Sequence, residues 1–404
     1  MSKLTAVTSL FLLSAIGSAR AGEPTPPDAS RGTPHQIDAL EEVIITATRR
    51  PTSLQDVSMS VTAVDGELVR ALGIENGQQI ANLVPNFTVQ STFGPASPPY
   101  MNIRGVSYVD FDFVNEMSIG TYVDEAYQGH QGSVSGQLFD LERVEVLRGP
   151  QGTLFGRNTT GGLVHFISRK PSEATSGYFS MQIGSFDQFI AEGAIGGQLA
   201  RGVRGRVAVK YNIDDGIRQN RGSAASRFGK TDVAALRGTL QFDVGQAVTT
   251  EFSAHYSKSD STFAGYAFYG NLDPVTFSQC SVEAVLNSRC VNEAGFLDPN
   301  PSADHTNSRH RSLPNQSENA GGYIKVEWSP AWGRLTSISA YEDVKTYVVQ
   351  DITATADALV FIDTQFDSDM HQFSQELRAD GSTERLDWLL GAYYYEDQRN
   401  ARVD

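Results

Sequence analysis

The residues best placed to do chemistry lie in a glycine-punctuated run from Leu141 to Gly162. Gly149, Gly152, Gly156, Gly161 and Gly162 could wrap a phosphate, but the run lacks the Gly-Lys-Ser/Thr ending of a nucleotide loop. A confined segment that must turn tightly uses glycine in the same way. No Ser-His-Asp constellation or cluster of perturbed carboxylates accompanies it, so no enzyme activity and no cofactor are expected. The seven histidines are scattered, and His35, His255 and His371 show no metal-ligand spacing. Two cysteines, Cys280 and Cys290, make a poor metal site. In an oxidising compartment they read as a disulfide, with two free thiols as the alternative.

A second feature is adhesive rather than reactive. Glu41, Glu42, Val43, Ile44, Ile45, Thr46 and Ala47 form a short β-prone run after the Pro- and Gly-rich linker of residues 22–39. A strand on a tether carries unpaired N–H and C=O groups, which another protein's sheet edge can capture. Equally, it can be the first strand of the domain that follows.

These features need elements to position them. The formal charge of −15 offers no basic face for nucleic acid. Lys3, the apolar stretch Leu4–Ile16 and the small residues around Ala19 and Ala21 form an export signal over residues 1–21. Residues 51–171 read as an α+β domain. In it Val57–Val64 is a strand, Asp65 caps a helix ended by Gly73, and a second helix runs from Asn76 to Leu83. From residue 172 to 404 the pattern becomes strand, turn, strand, with apolar and polar residues alternating over about ten positions, the mark of a transmembrane barrel. Nine strands are expected, at 177–184, 187–197, 203–214, 231–244, 249–260, 320–328, 334–350, 371–380 and 386–396. The connections alternate short and long after the second strand, which places the long ones outside the cell. Tyr211, Tyr256, Tyr341 and Tyr394 mark one girdle and Trp328, Trp332 and Trp388 the other. An odd strand count cannot close a bacterial barrel, so the chain is expected to be a fragment, a truncated product or an interrupted frame.

The motifs resemble those of TonB-dependent outer-membrane receptors. Residues 40–50, and Glu41–Ala47 within them, are similar to the TonB box. Asn102-Ile103-Arg104-Gly105-Val106 resembles the first plug motif, and Leu141–Gly162, including Glu142, Glu145 and Arg148, resembles the second. Glu125 departs from the family pattern, which often has Gly there. The resemblance implies an N-terminal plug inside an all-β transmembrane barrel of about 22 antiparallel strands, of which about nine are present. It implies a bacterial outer-membrane location in contact with lipid. It implies active transport of a small ligand, such as a ferric siderophore or cobalamin, driven by TonB of the inner-membrane energising complex. It places Arg104 and Arg148 on the plug arginines that pair with barrel glutamates from later strands; the residues themselves equally allow pairing with Glu142 or Glu145. The apices at 92–100 and 107–117 would face the ligand, with Tyr100, Tyr108, Phe111 and Phe113 as contact candidates. A passive porin-like channel and a non-functional truncated receptor are the alternatives.

Overall fold

Period-two alternation builds both large sheets of this molecule. The structure, a computed structural model, describes residues 43–404 except 75, 92–98, 109–114, 135, 223–225 and 356–362. The export signal, the linker, Glu41, Glu42, Phe111, Phe113 and most of both apices lie outside the described residues.

The plug begins with a two-residue ladder between β1 (Ile44–Ile45) and β2 (Thr52–Ser53). The run at 43–47 is therefore joined to the plug, as its first strand. Next come β3 (Val61–Asp65), α1 (Gly66–Ala71), α2 (Gly77–Ala81), β4 (Phe87–Gln90), β5 (Tyr100–Ile103) and β6 (Val106–Ser107). They are followed by β7 (Ile119–Val123), β8 (Ala126–Gln128), β9 (Leu141–Arg148), α3 (Gly152–Phe155) and β10 (Gly162–Ser168). The expected strand from Val57 starts only at Val61, because pairing with β9 begins where Val61 meets Leu147. Both helix starts are as the sequence demands. The Asp65 carboxylate accepts from the Glu67 and Leu68 N–H groups, and Asn76 with Gln79 forms a reciprocal capping box.

The central plug sheet has the order β3-β9-β10-β7-β8. One face carries Val64, Val144, Val146, Val164 and Phe166 into the main core. The other carries Leu147, Leu163, Tyr122 and Tyr127 against Ile45 and Ala47.

The second sheet has nine antiparallel strands: β11 (Ser176–Ile183), β12 (Phe189–Ala200), β13 (Val203–Ile213), β16 (Asp232–Val244), β17 (Val248–Thr262), β19 (Pro314–Trp328), β20 (Arg334–Asp351), β21 (Asp363–Ser382) and β22 (Asp387–Val403). Short strands β14 (Arg218–Asn220), β15 (Ser226–Phe228) and β18 (His305–Thr306) form a small sheet in the long connections, which also hold helix α4 (Val282–Leu286). All nine expected strands are present, but β19 begins at Pro314 rather than residue 320, and β21 at Asp363 rather than 371. The added end of β19 is polar on both faces, and that of β21 has only Phe366 and Met370 among polar residues, so hydrophobic alternation does not reveal them. They are held by ladder bonds to neighbouring strands.

The burial pattern is inverted relative to a soluble sandwich. Val207, Leu236 and Ile324 are 49%, 48% and 44% exposed, while Arg206, Arg237, Glu251, Glu342 and Arg378 on the opposite face are buried. Apolar side chains facing outward and charges facing inward suit a wall between lipid and a polar lumen. At the short-turn end Trp328, Trp332 and Trp388 lie together, with ring centroids 6.2 and 6.0 Å apart. Cys280 and Cys290 form a disulfide in the longest connection.

Candidate functional site

Contact between plug and wall is made by ion pairs of both polarities, plug acids with wall bases and plug bases with wall acids. Asp140, just before β9, holds Arg206 of β13 through two bonds of 2.7 and 2.5 Å. Arg237 of β16 donates to the carbonyls of Phe139 (3.0 Å) and Gln137 (2.8 Å) and stacks over the Phe139 ring. Asp124 accepts from the Ser168 N–H at 2.9 Å and pairs with Lys170 at 3.0 Å; Lys170 in turn meets Glu251 at 2.7 Å and Tyr323 at 2.8 Å. Burial pushes the Asp124 carboxyl up, but Lys170 and Arg237 outweigh it and bring it down to about 2.

Glu125 is the hub of a second cluster. It occupies φ +72° in the turn between β7 and β8, a conformation that favours glycine. Its carboxylate takes Lys325 of β19 and Arg378 of β21, each at 2.6 Å, and Arg49 lies at 4.0 Å. Burial opposes its charge, yet these cations hold it well below the usual carboxylate range. By its motif this residue is only a local departure; its three cations, Arg49 in the turn after β1, Lys325 and Arg378, lie far away along the chain, so no local signal reveals them.

The segment at 43–50 docks between these clusters and the plug sheet. Ile45 and Ala47 are fully buried, whereas Val43 and Ile44 are exposed. The Thr46 N–H donates to both oxygens of Glu145, at 3.0 and 3.2 Å. Arg49 packs over the rings of Phe155 and Tyr122 and pairs with Glu376 at 3.3 Å. Arg50 meets Asp380 at 3.5 Å and donates to the Trp388 carbonyl. The segment is thus tied to the plug on one side and to the short-turn end of the wall on the other.

The glycine motif builds a turn, not an anion cradle. Gly162 has φ +140°, and a Cβ there would lie 2.2 Å from the Leu147 carbonyl oxygen, so no other residue fits. Gly105, Gly149 and Gly156 also have positive φ, Gly161 sits where a Cβ would strike Ile119, and Gly152 opens α3. Glu142 pairs with Arg143, not with either motif arginine. Arg148 donates to the Pro85 carbonyl at 3.2 Å. Among the described residues, neither Arg104 nor Arg148 has a carboxylate within 4.0 Å. Tyr100 is buried and Tyr108 exposed, so only Tyr108 of the described aromatic candidates presents a ring to the outside. Among the described residues one group has a metal-compatible composition, Asp343, Asp369 and His371. It assembles by register, with Asp343 opposite His371. The two carboxylates sit at opposite ring nitrogens, at 2.8 and 3.4 Å, so they flank the imidazole rather than converge with one of its nitrogens on a shared point.

Residues 53–163 match the family model of the TonB-dependent receptor plug domain. This segment is a plug domain of the TonB-dependent receptor type, and the chain resembles such receptors beyond it. The pesticin receptor of Yersinia pestis is 26% identical over 191 residues, covering 47% of this chain and 28% of the relative. The ferripyoverdine receptor of Pseudomonas aeruginosa is 25% identical over 226 residues, covering 55% and 26%. Among solved structures, the ferric yersiniabactin uptake receptor FyuA of Yersinia pestis superimposes with a TM-score of 0.69 at 19% identity, covering 85% of this chain and 49% of that one. The chain therefore spans less than a third of these two curated relatives and about half of the solved receptor. The shared fold is a plug with a partial barrel, which is the architecture expected from the sequence.

Proposed function

We propose that this chain serves TonB-coupled uptake of a scarce ligand across the outer membrane, with the plug gating the lumen. Residues 43–50 are then the segment that TonB captures. The observation carrying this reading is the segment's placement: a two-residue strand, exposed at Val43 and Ile44, docked beside the Trp-lined short-turn end. A ladder this short leaves backbone groups for strand addition. The alternating connection lengths support placing that end in the periplasm and the disulfide-braced connection outside the cell. Arg104 and Arg148 would take glutamate partners from the wall.

The ligand class we assign is a ferric siderophore, on the similarity to the yersiniabactin and pyoverdine receptors. A cobalamin is the second choice, on 21% identity over 229 residues to the vitamin B12 transporter of Vibrio vulnificus. Lumen-filling contacts such as Asp140–Arg206 oppose a passive pore. The test uses radioiron-loaded yersiniabactin and pyoverdine as probes on iron-starved cells carrying the receptor gene. Uptake of either that stops on deleting TonB, with surface binding retained, is the expected result. Uptake indifferent to TonB would overturn the proposal.

A further inference from the structure

Register across the plug sheet assembles a polar pair that the motif does not announce. Ala63, Glu145, His165, Tyr122 and Tyr127 form one cross-strand row. Their neighbours on that face, Val61, Leu147 and Leu163, are apolar. Two titratable side chains thus stand side by side in an apolar face, directly under Thr46. Glu145 is fully buried, and a buried carboxylate is tolerated only when its lone pairs are filled. Arg143 Nε fills one site at 2.8 Å. The Thr46 N–H spans both oxygens at 3.0 and 3.2 Å, and its hydroxyl adds a bond of 3.2 Å. The Glu125 N–H donates to His165 Nε2 at 2.9 Å, so the ring proton resides on Nδ1, which faces the Thr46 hydroxyl at 3.3 Å.

We propose that Glu145, oriented by Arg143 while His165 holds the Thr46 hydroxyl, is the positioning residue that latches residues 43–50 to the plug, and that loss of Thr46 from this carboxylate is the release step. The inference rests on the reading that this segment is the one TonB captures. A carboxylate gripping a backbone N–H fixes position along the chain, whereas the burial of Ile45 and Ala47 alone would tolerate a slip. Withdrawal of Thr46 removes two of the donors to Glu145, so release requires water to enter this face. Because Glu125 also binds Lys325 and Arg378, the latch is referenced to the wall, and a shift of the β7–β8 turn disturbs His165 and the segment together.

The test places a spin label on Val43→Cys in the full chain in lipid bilayers; both native cysteines are already bonded to each other. Glu145→Gln should raise the ratio of mobile to immobile label about tenfold or more, the loss of a charge-assisted hydrogen bond. Thr46→Pro removes the same N–H without touching the sheet, and should act similarly if Glu145→Gln fails to fold. The double variant should shift the ratio no further than the larger single change, because both break one contact. A purely structural Glu145 would lower the plug's unfolding midpoint and leave the ratio within twofold, which would overturn the latch, as would multiplicative effects. Binding of purified TonB C-terminal domain separates the two readings. Tenfold tighter binding to Glu145→Gln supports both. A mobile label with no TonB binding supports the latch and overturns the capture reading.

Discussion

Replacing Asp140 with Ala should strand a cation inside the lumen. The Asp140 and Arg206 side chains are 2% and 6% exposed and share two short bonds, so little solvent reaches either. Deleting one partner of such a pair costs about 3–5 kcal/mol, because the remaining charge stays desolvated. Converting both, as Asp140→Asn with Arg206→Met, removes the stranded charge and should cost less than the single change. Trp328, Trp332 and Trp388 all lie in the barrel sheet or its turns, so their fluorescence does not report on the plug. Hydrogen exchange of the β9 and β10 amides does. Their protection should fall by roughly a hundredfold or more in Asp140→Ala and less in the double variant. A change under about 1 kcal/mol, or a double variant weaker than the single one, would show that this pair does not anchor the plug.

Three other outcomes follow from the same geometry. Asp124 titrates at about 2 in the folded plug against an ordinary 3.8, so its stabilising contribution is complete above pH 4 and is lost as pH falls towards 2. A pH titration of plug exchange protection should show about 2 kcal/mol of that loss removed in Asp124→Asn. Reducing the Cys280–Cys290 bond, which closes a ten-residue separation, should release up to about 3 kcal/mol of constraint and speed protease cleavage within 263–313 without exposing the barrel strands. An epitope inserted near Asp304 should be reachable on intact cells and one near Gly245 should not; the reverse labelling would invert the assigned topology.

Much of this architecture is legible in the sequence because the barrel strands repeat one rule over long spans. Val203, Val207 and Val209 alternate with Arg204, Arg206 and Lys210, and wall and lumen follow directly. The rule fails where both faces are polar. Pro314–Asn319 gives no alternation, and the strand there is set by its neighbours. The plug is less legible, since its strands are short and its helices have four to six residues. Glu145 and Arg148 stand out through their motif, but the motif alone does not say that Glu145 faces Thr46, about a hundred residues away. That depends on the β9–β10 register, which also brings in His165. A polar residue at an inward position of an otherwise apolar strand, as in Leu163-Val164-His165-Phe166, is the signal that could have flagged it.

The account turns on strand capture of residues 43–50. Cysteines placed singly from 43 to 49 and paired with a cysteine in an edge strand of the TonB C-terminal domain would test it most directly by disulfide trapping. Strand addition predicts cross-links that alternate with a period of two along the segment. It also predicts their loss in Ile44→Pro, which removes a ladder donor while leaving ligand binding at the cell surface intact. Uniform trapping along the segment, or trapping undiminished by Ile44→Pro, would contradict it.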